Sequence, residues 1–248
     1  MRAVLFDIWG DYAHFRRFYT TSSPLTYSFP PPTAVRGMVG AILGMGKEEY
    51  IEKTSGLYVG VRVLNPVKRI RWGQNLINTK GSSGFDPTLH RKKEPRTQIK
   101  IEYLKNPRFR IFLSGDEKMI AEVASLLQEH RTHYTLCLGL SELLANFSYV
   151  GMEELEALPS GVYRISSVFP VDIVSDFGEA IEDGIKLLKE RVPIYIDTNR
   201  VPRLYQDVIV EASGRPVRVG AKDGLYRLRD GSVIYLWPPA STHIRESS

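Results

Sequence analysis

Three consecutive prolines, Pro30-Pro31-Pro32, running straight into a helical pattern are the feature that most narrows what this chain can fold into. Proline has no N–H to give to a strand ladder, so the stretch from Pro24 to Pro32 is extended or turned and is not a central strand. From Thr33 to Gly44 apolar residues recur at helical spacing, with Val35, Met38, Val39, Ile42 and Leu43 on one face. Thr33 is placed to cap the start of this helix, and Gly44 and Gly46 to end it. Gly37, Gly40 and Gly44 form a second line at spacings of three and four. Each interior glycine costs a helix about 0.5–1 kcal/mol relative to alanine. The line therefore implies that backbone or sheet approaches closely.

The elements around this helix follow from the same periodicities. Val4, Phe6 and Ile8 predict a first strand, Lys47–Thr54 a short second helix, and Leu57–Leu64 a second strand. Between Asn65 and Gln98 the pattern breaks: glycines and prolines sit among polar and basic residues, with Ile70-Arg71-Trp72 read as continuing the preceding ribbon. An insert of that length in a compact domain is usually functional or disordered. Ile99, Ile101 and Tyr103 predict a third strand, which turns at Asn106-Pro107 into Phe109, Ile111 and Leu113. Asp116 caps a helix over Glu117–His130, a short helical piece follows Gly139, and Phe147–Met152 is a further strand.

This is the split β-α-β-β-α-β order of a ferredoxin-like domain with an excursion after its second strand. The RRM uses the same sheet to bind RNA, but its aromatic motif is not present, so that analogy is architectural only. Glu153–Ser160 reads as a linker to a small β-rich part of balanced charge, whose one helix, Glu179–Glu190, uses Ile181, Ile185 and Leu188. The expected class is α+β: a ferredoxin-like domain over residues 1–152 with its insert at about 65–98, then a small β-rich domain over 153–248.

Charge is distributed unevenly. Residues 62–110 carry 13 Lys or Arg against three acids, whereas residues 115–160 carry two bases and eight acids. A field that points out of one region suits capture of a polyanion. A solvated charged loop is the competing reading.

One cysteine, Cys137, excludes an intramolecular disulfide framework and a cysteine-rich metal site, and reads as a small buried hydrophobe. No export signal and no membrane span is visible, so a cytoplasmic protein is expected. There is no HExxH, compact acidic triad or Walker motif, and no cofactor or metal is expected.

The segments His14-Phe15-Arg16 and Tyr27-Ser28-Phe29-Pro30-Pro31-Pro32-Thr33-Ala34-Val35-Arg36-Gly37-Met38-Val39-Gly40-Ala41-Ile42-Leu43-Gly44 resemble the N-terminal signature of a CRISPR-associated family of the RAMP superfamily. That family caps the 5′ end of CRISPR RNA in type I, Cascade-like effector complexes. Leu138-Gly139-Leu140-Ser141-Glu142 also resembles the glycine-rich loop late in the family's first domain, while similarity over the second domain is weak. The pattern is nearer to type I-B or I-A members than to type I-C.

The resemblance implies that the excursion is a β-hairpin thumb, packed against the first subunit of the backbone filament and bending the guide at the handle–spacer boundary. It further implies contact with the large subunit that reads the PAM. Target DNA would be met only indirectly, through guide pairing within the complex.

Capturing a single-stranded 5′ handle needs cations for phosphates and flat side chains for splayed bases. On that basis Arg16 and Arg36 are expected on phosphates, with Arg17, His14 and Tyr27 beside them; core packing is the favoured reading of the aromatics, among which Tyr27 and Phe29 are the pair most able to close over a base. In the insert, Arg69, Arg71, Lys80, Arg91, Lys92, Lys93 and Arg96 are candidate backbone contacts, and Trp72 and Phe85 candidate wedges. Gly139 and Ser141 are candidate backbone N–H donors to a phosphate.

In type I-C a relative matures the guide with a tyrosine, a lysine and a histidine, chemistry that needs a base for the 2′-OH and an acid for the leaving oxygen. Here the only set to nominate is Tyr27, His90 and Lys92, and no spacing compels it. Three functions stay open: a non-catalytic RNA-binding scaffold, favoured; a metal-independent endoribonuclease; and a protein-binding module.

Overall fold

The structure is a computed structural model that describes residues 1–20, 23–77, 96–178 and 184–239. The first half is built on β1 (Arg2–Trp9), β2 (Tyr12–Ala13), α1 (Pro32–Leu43), α2 (Tyr50–Lys53) and β3 (Tyr58–Val63). It continues through β4 (Arg69–Ile77), β5 (Arg96–Lys105), β6 (Arg108–Ser114), α3 (Glu117–Gln128) and β7 (Asn146–Glu154). Four of these strands form one antiparallel sheet in the order β3-β6-β1-β7. Val4, Phe6 and Ile8 of β1 share one core with Val35, Val39 and Ile42 of α1 and Ile120, Val123 and Leu127 of α3. β4 and β5 leave this sheet as a separate two-stranded ribbon, joined at its base by β2.

Helix starts follow local chemistry. Pro31, not Thr33, caps α1, and no side chain caps it; Pro32 at the first helical position has no N–H to leave unsatisfied and its φ is already helical. Gly44 closes α1 in the left-handed region at φ 72°. Gly40 has the close neighbour its position implied, since a Cβ there would come 2.7 Å from Cβ of Tyr50 at the start of α2. Asp116 caps α3, its Oδ1 accepting from the Met119 N–H at 3.0 Å. Asp116→Ala should therefore lower unfolding free energy by about 1 kcal/mol in urea titrations.

Beyond β7 the chain is strand-rich. β8 (Glu156–Leu158), β9 (Gly161–Ile165), β10 (Phe169–Pro170) and β11 (Val174–Asp176) precede β12 (Leu187–Ile196) and β13 (Pro202–Glu211). β14 (Val217–Ala221), β15 (Leu225–Arg227) and β16 (Val233–Tyr235) complete it. They form a three-stranded sheet, β10-β13-β12, and a six-stranded one, β11-β14-β9-β16-β15-β8.

Three local expectations are corrected here. Glu153–Ser160 is not a linker but largely strand: β7 runs on to Glu154 against Arg2, β8 pairs with β15, and Leu155 and Leu158 are buried. No helix covers the described part of Glu179–Glu190, whose residues 179–183 lie outside the described ones. Leu187–Glu190 instead pairs with Val208–Glu211, and Glu190, Val192 and Ile194 turn inward at the strand period of two. Turns, not a helical piece, follow Gly139, and Cys137 is half-buried in a bridge to Leu144.

The two halves share one core. Trp237 is enclosed, stacks on Phe29 at 6.2 Å and exchanges backbone hydrogen bonds with Val59 at the edge of β3. Ala3, Leu5 and Phe112, on the sheet face away from the helices, are covered by Leu228, Ile234 and Leu236. β1 is thus buried on both faces. The sheet face that an RRM leaves open is here covered at Ala3, Leu5 and Phe112, while the uncovered end carries the exposed Arg108 and Ser148.

Candidate nucleic-acid interface

The site grows from the base of the β4–β5 ribbon. Pairing from Arg69↔Leu104 to Ile77↔Arg96 gives it two faces. One carries Ile70, Trp72, Ile99, Ile101 and Tyr103; the other carries Arg69, Arg71, Arg96, Lys100 and Glu102. Trp72 stacks on Tyr103 at 4.5 Å and meets Tyr12 edge-on at 4.8 Å, so its ring anchors the ribbon to β2. It is not a free wedge.

Three enclosed carboxylates organise the arginines. Glu190 accepts from the Ser28 N–H at 2.9 Å and the Ser28 hydroxyl at 2.8 Å, and pairs with Arg17 and Arg69. Glu102 takes Arg71 at 2.7 Å, the Thr26 N–H at 3.3 Å and Arg69 more loosely at 3.8 Å. Asp7 holds Arg108 at 2.9 Å and Arg110 at 2.8 Å. Five guanidiniums meet three carboxylates, so each acid fixes its arginines in place without cancelling the local positive charge. The Arg71 side chain stays 62% exposed and that of Arg108 45%.

Arg62, Arg108 and Arg110 were not singled out from the sequence. Each alternates with core residues, Val61 and Val63 or Phe109 and Ile111, and that alternation is the signal that puts it on the opposite face. Register sets Arg62, Arg110, Asp7 and Ser148 side by side across the uncovered end of the sheet. The Arg108 guanidinium lies 5.1 Å from the centre of the Trp9 ring.

Several expected contacts are enclosed. Arg36, expected on a phosphate, is 6% exposed and donates to the carbonyls of Ile194 at 2.9 Å and Leu57 at 3.2 Å. Burial pulls its pKa down to about 10, so it is still charged at neutral pH and pins the two halves together. Tyr27 and Phe29 are 1% and 0% exposed and pack the core; neither closes over a base in this arrangement. Burial pushes the Tyr27 hydroxyl well above its usual range.

His14 is buried and donates from Nδ1 to the Glu102 carbonyl at 2.7 Å, since a carbonyl can only accept. Burial, above all, lowers its pKa from the ordinary 6.5. An unfolded chain binds a proton there first, so the His14 contribution to stability is complete above about pH 6.5 and fades as pH falls below it. Urea midpoints at pH 7.5 and pH 5.0 should accordingly lie closer together in His14→Asn than in the parent.

Gly139 sits at φ 101°, where a Cβ would collide with the His14 carbonyl oxygen, so close approach of the two loops accounts for it. Ser141 is exposed beside it, its hydroxyl 3.4 Å from Glu142. Arg16, Arg71 and Arg96 are exposed; Arg17 and Arg69 are partly enclosed on Glu190. Lys80, Phe85, His90, Arg91, Lys92 and Lys93 lie outside the described residues. Among the described residues no group of three or more His, Cys, Asp or Glu is placed to hold a metal ion, and no helix is long and apolar enough to cross a membrane.

Comparison with known proteins accords with this geometry. The family model for CRISPR-associated protein (Cas_Cas5) matches residues 3–205. In fold the chain is similar to a CRISPR protein from Archaeoglobus fulgidus, at 18% identity over 96% of this chain and 99% of that one, with a TM-score of 0.53. It is also similar to a chain of a CRISPR RNA-guided surveillance complex, at 16% identity over 88% of this chain and 91% of that one, with a TM-score of 0.54. No curated protein sequence matches it. Such identities speak to fold alone, but the family match spans most of the chain and takes in the proline bracket and the glycine-studded helix: the protein belongs to the CRISPR-associated Cas5 family.

Proposed function

We propose that the protein is a non-catalytic subunit of a type I CRISPR surveillance complex and holds the 5′ handle of the guide RNA. The observation that carries this is the surplus of positioned arginines, five on three enclosed carboxylates, at the ribbon base and the uncovered end of the sheet. Family membership and the likeness in fold to a surveillance-complex chain supply the context. In this reading the sheet order β3-β6-β1-β7 is that of a ferredoxin-like RAMP domain. The β4–β5 ribbon is the root of the thumb, set against the backbone filament, and the large subunit is the second protein partner. Target DNA is reached through the guide.

Two features of the nuclease set support a non-catalytic role. Tyr27 is walled off from any 2′-OH, and its raised pKa makes it a poor proton acceptor at neutral pH. The test is to incubate the purified protein with labelled precursor repeat RNA, alone and with its neighbouring-operon proteins, while shift and cleavage are followed in the presence of a chelator. Binding without cutting is expected. Metal-independent cutting that is lost in His90→Ala or Tyr27→Phe would overturn the scaffold role.

Affinity should fall steeply with salt. Arg71→Ala and Arg108→Ala should each weaken binding and lower the salt slope by about one. A slope unchanged in both variants would remove the arginine surplus from the interface.

A further inference from the structure

The N-terminal connection presents two rings to solvent at a point where the fold holds them firmly. Phe18 is 49% exposed and Tyr19 52%. Arg17 fixes the turn that carries them: its N–H donates to the Leu25 carbonyl at 2.8 Å, and its guanidinium reaches the Thr26 carbonyl at 2.9 Å, the Tyr19 hydroxyl at 2.6 Å, and Glu190. The Thr20 hydroxyl closes the turn back onto the Arg17 carbonyl at 2.9 Å. Phe18 lies 4.3 Å from the Tyr205 ring on β13, and Tyr19 meets Phe18 edge-on at 5.1 Å.

Cations border this cluster. Tyr205 stands opposite Pro193, and strand alternation puts Arg191 on the same face, one position along the ladder. Arg191 is exposed and stands directly across from Asp207, whose carboxylate pairs with Lys189 at 2.8 Å. Arg16 is exposed as well, its guanidinium held by the Thr20 carbonyl at 3.2 Å. The exposed Phe18 and half-buried Tyr205, bordered by guanidiniums, are the equipment of a single-strand binding surface, where any base has a face to stack and the cations follow the backbone.

We propose that Phe18 and Tyr205 form a stacking platform for one unpaired nucleobase of the guide RNA, with Arg16 and Arg191 taking the adjoining phosphates. This rests on the handle-binding function and adds to it a specific subsite, shared between the N-terminal connection and the β12–β13 hairpin of the second half.

The test titrates the full-length protein into labelled single-stranded repeat RNA, and into the same RNA with abasic nucleotides placed one at a time. The double variant Phe18→Ala/Tyr205→Ala should lose affinity on the order of tenfold with an unchanged salt slope, because stacking releases no counterions. Phe18→Tyr and Tyr205→Phe should keep the affinity. An abasic nucleotide at one position should reproduce the loss in the parent and add nothing in the double variant. Arg16→Gln should lower the salt slope, and circular dichroism melts establish that each variant is folded.

A double variant that binds as tightly as the parent would overturn the platform and leave the handle-binding function standing. A loss that every abasic position adds to equally would assign the rings a structural role and overturn it as well. Normal RNA affinity with failed assembly into the complex would make the patch a protein contact. No RNA binding by the parent, free or assembled, would instead bring down the handle-binding function and the platform with it.

Discussion

Glu190→Ala is expected to destabilise the protein by about 3–5 kcal/mol, the range for removing one partner of a buried ion pair. Its side chain is 3% exposed, and its two oxygens serve Arg17, Arg69, the Ser28 hydroxyl and the Ser28 N–H. Without the carboxylate, two partly enclosed guanidiniums lose a charged partner and the Ser28 N–H loses its acceptor. The effect should also reach three separate parts of the chain: the N-terminal connection, the β4 root of the ribbon, and β12. Urea unfolding would show a lower midpoint, and proteolysis would open the connection around Arg17 before global unfolding. Glu190→Gln, which keeps the shape and one acceptor, should lose less. A Glu190→Ala protein within about 1 kcal/mol of the parent would mean that water replaces the carboxylate and that the network is not structural.

Gly139→Ala should be comparably damaging, costing about 3 kcal/mol or more, because two separate effects act on one atom. At φ 101° any side chain strains the backbone. The added Cβ would also meet the His14 carbonyl oxygen, part of the backbone that bonds this loop through the His14 N–H and the Leu138 carbonyl at 2.9 Å. Relief would have to come from separating the two loops, which would disturb His14 and Phe15 in the core. Thermal melts of Gly139→Ala set beside Gly231→Ala, where φ is 82° and a Cβ meets nothing within 4 Å, isolate the contact from the backbone strain. Equal melting temperatures in the two would contradict this account.

How much was legible beforehand depended on whether a segment's pattern has one solution. Val35, Met38, Val39 and Ile42 have no strand-compatible face, and the prolines ahead of them exclude a ladder, so α1 was readable to within a residue. Leu187–Glu190, read from its spacing as the end of a helix, is strand. Ile185 and Leu188 suit a helix, but Glu190, Val192 and Ile194 suit a strand, and long-range pairing with β13 decided the matter. That choice also turned Glu190 from an exposed helix residue into the inward acid that binds Arg17 and Arg69.

Among the candidate contacts, charge was legible and burial was not. Arg36 and Arg71 carry the same charge and were both expected on RNA. One ends on backbone carbonyls inside the molecule, the other on the surface beside Glu102.

The expected third strand, Ile99–Tyr103, belongs to the ribbon and not to the four-stranded sheet. The sequence by itself determined the family, the helices α1 and α3, and the concentration of positive charge between residues 62 and 110. Each of these is carried by local periodicity, by residue type, or by the proline bracket before α1. The tertiary structure alone decided which cations are spent on internal carboxylates and which remain exposed. It also decided that the second half covers part of the sheet, and that Phe18 meets Tyr205 across 187 positions of sequence. These depend on which distant strands pair and which faces they bury, and such contacts leave no mark on the spacing of residues within any one segment.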